Sequence, residues 1–491
     1  MVKEKIRIHG GESFEIDLGY LYNNDEKSST YDIDAYIFTP RGLDINKSTY
    51  SKKKFFQDLK TNIRFTTPVY ELRDIIDGEK SVFEKLNKSI DKYLAKPNKE
   101  NAKQYRYHIK MFVSIFRSSL SKHIRRIISK KVNTEKQLLL DELFQTVDRI
   151  VESYRSISAK IKDAKVAERE QNVYLFGNEF LSYSIEKQFL ILIKKLSKRG
   201  DEIFLDELSK AKDYLEKELD YQNKKGILRL KINDNKSNEG VVYRRGILRK
   251  FAEDRLFLNT RTEKEGVMVE QIIFSLAAGF AMIFATSVAF FSQQYYGNFT
   301  MPFFIALVVS YMAKDRIKEL VRSNINNKIQ AKYFFDHKTK IISGDEEIGI
   351  CRESFNFVEY KKIPTTVKKI RKIEHLTEIE NDWKGENVMR YQKRVTIYNK
   401  RFEKVFKEYD ISGIKDIVRL NSSRFTTKMS SPYLPFYAWS DKEKKVVKIK
   451  GEKVYHFNII LVFKYKKERH IKRYRIYLNK KGIKRIEKVT N

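Results

Sequence analysis

The chain has 491 residues, 33 % of them charged, and a formal net charge of +35. A single cysteine excludes an intramolecular disulfide framework, and a positive excess of this size favours anionic partners: acidic lipid headgroups, nucleic acid or acidic proteins. The lysines are spread along the chain, so a general Lys-rich composition explains the charge as well as a dedicated surface does.

The N-terminus, MVKEKIRIHGGESFEID, lacks the apolar stretch of a signal peptide. Residues 1–66 read as strands. SFEIDLGYL and YDIDAYIF alternate, and the turn-like NNDEKSS between them predicts an antiparallel pair. On that pairing Glu15, Asp17, Asp32 and Asp34 share one sheet face, where clustered carboxylates could hold Mg²⁺ or Mn²⁺. A solvated acidic face is the plainer explanation. The D-x-D spacing is also that of nucleotidyltransferases, but Gly10-Gly11-Glu12-Ser13 runs into a strand, where that chemistry needs a helix.

Thr67-Pro68 opens a helical region over 67–240. One face carries Ile109, Phe112, Phe116, Leu120, Ile124 and Ile127, and a second carries Leu140, Leu143, Val147, Ile150, Tyr154, Ile157 and Ile161. Shorter stripes hold Ile185, Phe189, Leu192 and Leu196, then Leu208, Leu215 and Leu219. The pattern predicts a helical bundle, closed by the loop-like NDNKSNEG. A basic helix from about Tyr243 is expected to lead onward into residues 241–335.

From Gln271 to Ala313 no Asp, Glu, Lys or Arg occurs. Ile272–Phe291, IIFSLAAGFAMIFATSVAFF, is long enough for a membrane span, which takes about 20 apolar residues. Residues 299–313 are short of a full crossing unless the helix continues past Ala313 and Lys314 and Arg316 snorkel. Thr300 suits the cap and Pro302 the first turn. Between the segments lie the interfacial Tyr295 and Tyr296 and the turn Gly297-Asn298. Arg244, Arg245, Arg249, Lys250, Arg255, Arg261 and Lys264 precede the hairpin, and Lys314, Arg316, Lys318, Arg322 and Lys328 follow it. The positive-inside rule then expects both termini in the cytosol and loop 292–298 outside. Arg244, Arg245, Arg249, Lys314, Arg316 and Lys318 are the expected contacts to anionic headgroups. Ala281, Ala285 and Ala289 share one helix face and Ala306 and Ser310 another, the spacing that lets membrane helices approach closely, within one chain or between copies. Neither span holds an ionisable group, so an anchor is expected over a channel.

Residues 336–491 return to strands: EEIGICRESFNFVEY, NVMRYQKRVTIY, KKVVKIKG and a closing meander of HFNIILVFKY, IKRYRIYL and IKRIEKV. The meander splits into an apolar face (Phe457, Ile459, Leu461, Phe463) and a partly basic one (Arg473, Arg475, Lys484, Arg485). Its cations interleave with aromatics as in a backbone-binding sheet, without any nucleic-acid signature. His9, His108, His123, His337, His375, His456 and His470 lack zinc-ligand spacing. Cys351 reads as a small buried residue, and no P-loop, dinucleotide fingerprint or nucleophile elbow occurs, so no cofactor is expected.

YRRGILRKF, the hairpin ending LVVSYMAKDRIKEL, and the closing RYRIYLNKKGIKRIE resemble an uncharacterised bacterial membrane-protein family, over roughly residues 240–340 and the C-terminal strands. The resemblance implies a bacterial inner-membrane setting and no particular activity. The expected fold is an α+β membrane protein: an N-terminal β-hairpin and helical bundle, a central two-helix transmembrane hairpin, and a mostly antiparallel β domain. Its expected role is non-enzymatic: scaffolding, assembly or sensing at the inner face, with the bilayer, a second copy or another protein as partner. A membrane-tethered metal-dependent enzyme and a tethered nucleic-acid binder are the alternatives.

Overall fold

The computed structural model describes every residue except 1–2, 23–24, 79–80, 131, 164–165, 198–204, 264, 298–299, 374–384, 406–407 and 490–491, with backbone alone for 163 and 321–333. Asn23, Asn24, Lys264, Asn298, Phe299 and His375 therefore lie outside the described residues, as do the side chains of Arg322 and Lys328.

Strands β1 (Lys3–His9), β2 (Ser13–Leu21) and β3 (Ser28–Pro40) open the chain, before helix α1 (Lys52–Asp58) and strand β4 (Leu59–Phe65). Then come α2 (Val82–Ala95), α3 (Lys99–Ser129), α4 (Asn133–Asp163), α5 (Glu168–Ser197), α6 (Leu205–Lys224) and α7 (Asn235–Glu253). Strand β5 (Asn259–Glu263) precedes the long helices α8 (Val267–Tyr296) and α9 (Met301–Tyr333). Next are β6 (His337–Ser343), β7 (Glu346–Phe357), α10 (Thr365–Lys372), β8 (Glu386–Tyr398) and β9 (Gly413–Asn421). The chain closes with β10 (Tyr433–Ser440), β11 (Lys445–Glu452), β12 (Tyr455–Tyr465), β13 (Glu468–Asn479) and β14 (Gly482–Val489). It divides into two compact units, Met1–Ile63 with Asn259–Val405 and Ile414–Asn491, and Arg64–Leu258 with Phe406–Gly413.

The first unit is built on an eight-stranded sheet, β14-β13-β12-β3-β8-β7-β6-β5, with every neighbouring pair antiparallel. A four-stranded sheet, β1-β2-β9-β4, lies across from it. Phe14, Ile16 and Leu18 of β2, Ile33, Ala35 and Ile37 of β3, and Ile459 and Leu461 of β12 line the same apolar space, so alternate residues from both sheets make a sandwich core. The opposite face of β3 is buried too. Tyr36 and Phe38 pack with Val388, Ile460 and Val462 beneath Ile363 and Val367, on the segment that carries α10. Burial on both faces explains why β3 reads as a nearly unbroken apolar run after Asp34.

The expected partnership of SFEIDLGYL with YDIDAYIF does not occur. The N-terminal hairpin is β1–β2, with Ile6 opposite Ile16. β3 instead lies between β12 and β8, with Ile37 opposite both Ile459 and Met389. Residues 1–63 are thus an integral part of the β unit, since β3 occupies the centre of its larger sheet. The closing meander does form, as β12–β13–β14.

In the second unit, short polar residues start the helices. Ser81 accepts from the Glu84 amide (3.1 Å), Asn98 from Asn101 (2.8 Å) and Asp234 from Ser237 (3.1 Å). The last of these caps α7 inside NDNKSNEG, the segment expected to be a loop. Most of the stripes read from sequence become the core: Phe112, Phe116, Ile124, Leu140, Leu143 and Ile185 are wholly buried, while Leu196, Leu208 and Leu219 are half-buried. At Gly177 on α5 a side chain would collide with the Tyr154 hydroxyl and lie 3.0 Å from Ile109 Cγ2, so glycine permits the close approach of α3, α4 and α5. Helix α7 does not run into the apolar segment. It ends at Glu253, and β5 intervenes before α8. Arg64 and Phe257 form an antiparallel bridge that brings the entrance and exit of the helical unit side by side.

Candidate functional site

Helices α8 and α9 pack against each other as a hairpin inserted between adjacent strands β5 and β6. Thr300 Oγ1 accepts from the Phe303 amide (3.4 Å), so the expected cap of α9 forms, and the helix continues past Ala313 to Tyr333. The small residues lie where the helices meet. Ala277 and Ala281 are fully covered, Ala285, Ala289 and Ala306 are half-buried, and Ser310 is buried with its hydroxyl donating to the Ala285 carbonyl (3.3 Å). The large residues face away: Phe280, Phe290 and Phe291 are 63, 69 and 72 % exposed. A soluble core helix of this composition would bury those rings. Among the described residues, Val267–Tyr296 is the one helix long and apolar enough to cross a membrane by length and composition.

The root of the hairpin is fixed to the sheet. Glu265 accepts from the Phe335 amide (3.1 Å) and from Arg352 (2.6 Å), so one carboxylate clamps the end of α9 and strand β7. Gly266 begins α8 at φ +80°, against the ring of Phe334, in backbone space that disfavours other residues.

The four carboxylates expected on one face stand on two sheets. Glu15 and Asp17 alternate with inward Phe14, Ile16 and Leu18 on β2, and Asp32 and Asp34 alternate with inward Ile33 and Ala35 on β3. Each already has a cation. Arg7 (2.7 Å) and Arg419 (2.7 Å) hold Glu15, Lys415 (3.1 Å) holds Asp17, Arg394 (2.5 Å) holds Asp32, and Arg390 (2.8 Å) and Lys464 (3.2 Å) hold Asp34. Among the described residues no group of three or more His, Cys, Asp or Glu is placed to hold a metal.

The six expected headgroup contacts divide between the units. Arg244 is engaged by Glu179 (2.7 Å) and Arg245 by Glu186 (2.8 Å), while Arg249 meets Glu253 at 3.3 Å. Arg245 and Arg249 also line a cavity of the helical unit. Lys314, Arg316 and Lys318 are on α9, with Lys314 3.6 Å over the Tyr311 ring and Arg316 and Lys318 exposed. The basic face of the meander is largely occupied. Arg473 is 2 % exposed and donates to the Ile370 carbonyl (2.9 Å), closing the C-terminal end of α10, and to Asn458 (3.0 Å). Arg475 is buried, and Lys484 and Arg485 pair with Glu452 and Glu487.

One constellation escaped the sequence reading. Lys393 on β8 is wholly buried, 2.5 Å from Asp416 on β9 and 3.3 Å from Glu353 on β7, with the Tyr391 hydroxyl donating to Glu353. Burial opposes the lysine's charge, but Asp416, Cys351 and Glu353 outweigh it and hold the ammonium well above its ordinary range. Burial pushes the Asp416 carboxyl up, against the pull of Lys393. Burial likewise pushes the Cys351 thiol well up, which suits a buried residue and not a nucleophile. A signal was present: Lys393 is in phase with buried Tyr391, Val395 and Ile397, as Asp416 is with Ile414, Val418 and Leu420.

No family model, curated protein or solved structure matches the chain.

Proposed function

We propose that the chain is a two-pass membrane protein of the bacterial inner membrane, acting without catalysis as a scaffold, assembly factor or sensor at the cytoplasmic face. The observation that carries this reading is the outward display of large apolar side chains along a helix that is free of charge from Gln271 onward and whose small side chains are turned to its neighbour. In water such a surface is an aggregation liability, whereas in hydrocarbon it is matched by its surroundings. The neutral tip crosses readily. Lys314, Arg316 and Lys318 follow the second apolar run, where lysine and arginine reach anionic headgroups, each contributing about 1 kcal/mol near the surface. The carboxylates that a metal-dependent alternative would use are each already ion-paired, which favours the non-enzymatic reading.

Reporter fusions at both termini and within 293–298, read with carbonate and detergent extraction, test the proposal. Cytosolic ends, an external tip and resistance to carbonate are expected. Release by carbonate, or a cytosolic tip, would overturn it.

A further inference from the structure

The helical unit contains a cavity of about 650 Å³ between α3, α5 and α7, within the range of small-molecule sites. Five cations line it: Arg117 and Arg125 from α3, Lys187 from α5, and Arg245 and Arg249 from α7. Hydroxyl groups of Ser118, Ser121 and Ser184 stand among them, and among the described residues no carboxylate is part of the lining. Two buried carboxylates stand behind the walls and neutralise only part of this charge. Glu253 is shared by Arg64 (2.8 Å), Arg117 (side-chain nitrogen at 2.5 Å) and Arg249 (3.3 Å), and Glu186 is taken by Arg245. Among the described residues no carboxylate lies within ion-pair distance of Lys187 or Arg125, and Arg125 turns back to Ser121 at 3.0 Å.

Two of the cations are held in place by aromatic rings. Arg117 lies over Phe180 (5.6 Å) and Arg245 over Tyr183 (4.3 Å). Such fixed guanidiniums in a concave site present forked donors to phosphate oxygens at little entropic cost. Crowding like charges in a cleft costs free energy that an anion relieves, and the Lys187 ammonium is held below its ordinary range by burial and by Arg117, Arg249 and Arg245.

We propose that this cavity binds a small molecule bearing clustered phosphates, either a free polyphosphate compound or a multiply phosphorylated lipid headgroup. A concave pocket confined between three helices suits a compact ligand better than a nucleic-acid backbone, which tracks along extended grooves and faces. The inference stands independently of whether the hairpin enters a bilayer.

The test is calorimetric titration of the full chain in detergent at physiological ionic strength. The probes are tripolyphosphate, ATP, and a short-chain phosphatidylinositol bisphosphate in the same micelles. Saturable binding of one probe class is expected. Lys187→Gln with Arg249→Gln should weaken it at least about tenfold. Gly246→Glu is the second variant. A Cβ at Gly246 meets nothing within 4 Å, so Gly246→Glu has room to place a carboxylate among the cations of the lining. It too should weaken binding at least about tenfold, whereas Lys448→Gln on β11 should not. Tripolyphosphate binding assigns a free ligand, and binding of the lipid alone assigns a headgroup. No saturable binding of any probe, or binding unchanged in Gly246→Glu with an unaltered thermal unfolding profile, overturns the proposal.

Discussion

Lys393, Asp416 and Glu353 show how much a single side chain can depend on its neighbours. Each comes from a different strand, and each is buried between strands rich in apolar side chains. A buried pair is poor stabilisation compared with well-packed apolar groups, but losing one member leaves the other charged and dry. Asp416→Ala should therefore cost about 3–5 kcal/mol in denaturant unfolding of the detergent-solubilised chain. The triple change Lys393→Met, Asp416→Leu and Glu353→Gln, which leaves no unpaired buried charge, should recover most of that or exceed the parent. A triple variant as unstable as Asp416→Ala would show that the charges do more than offset each other. This cluster was legible in principle. A charged residue in phase with apolar ones on a strand is either misplaced or paired across the core, and here two such strands, β8 and β9, supply opposite signs. What the alternation does not encode is that these strands, in separate sheets, face each other.

At the level of elements, local periodicity was the reliable guide and pairing was not. Helices α3 to α6 and the closing meander follow from spacing along the chain, because a helix face and a tight turn are set by near neighbours. The partners of β3 are more than 340 residues away in sequence, at β8 and β12, and no property of YDIDAYIF selects them over the adjacent SFEIDLGYL. The carboxylate constellation failed for that reason: the residue types were right and the sheet was wrong. The small residues of the hairpin were legible, since covering a four-residue stripe needs only one neighbouring helix. Ala281 sits fully buried in that contact, so Ala281→Leu should push α8 from α9. A disulfide between Ala285→Cys and Ser310→Cys, where a hydroxyl already reaches the opposite carbonyl at 3.3 Å, should form within one chain. Ala281→Leu in that background should reduce its yield severalfold. An undiminished yield would mean that the contact does not rest on Ala281. Buried Cys351 should not compete for cross-linking.

For the whole molecule, the chain order is nested. The β unit starts the chain, pauses for the helical unit, resumes, lends Phe406–Gly413 to the helices, and finishes with the meander whose first strand, β12, flanks β3. Because Arg64 and Phe257 are bridged, the helical unit is an insertion with adjacent ends. Replacing residues 66–255 by a short Gly-Ser linker should leave a β unit with a cooperative unfolding transition, whereas deleting residues 1–66 should abolish it. The opposite pair of results, with cooperativity lost on removing 66–255 and kept on removing 1–66, would reverse this assignment of the two units. The clamp at Glu265 has a mechanical side. Only Lys264, Glu265 and Gly266 separate β5 from α8, and one carboxylate ties the far end of the hairpin to the neighbouring strand. If α8 and α9 stand in a bilayer, the β unit is not a ball on a string. It is a handle welded to its shaft, and a tilt of the shaft, as bilayer thickness changes, must be met by rotation of the handle or by strain at the weld.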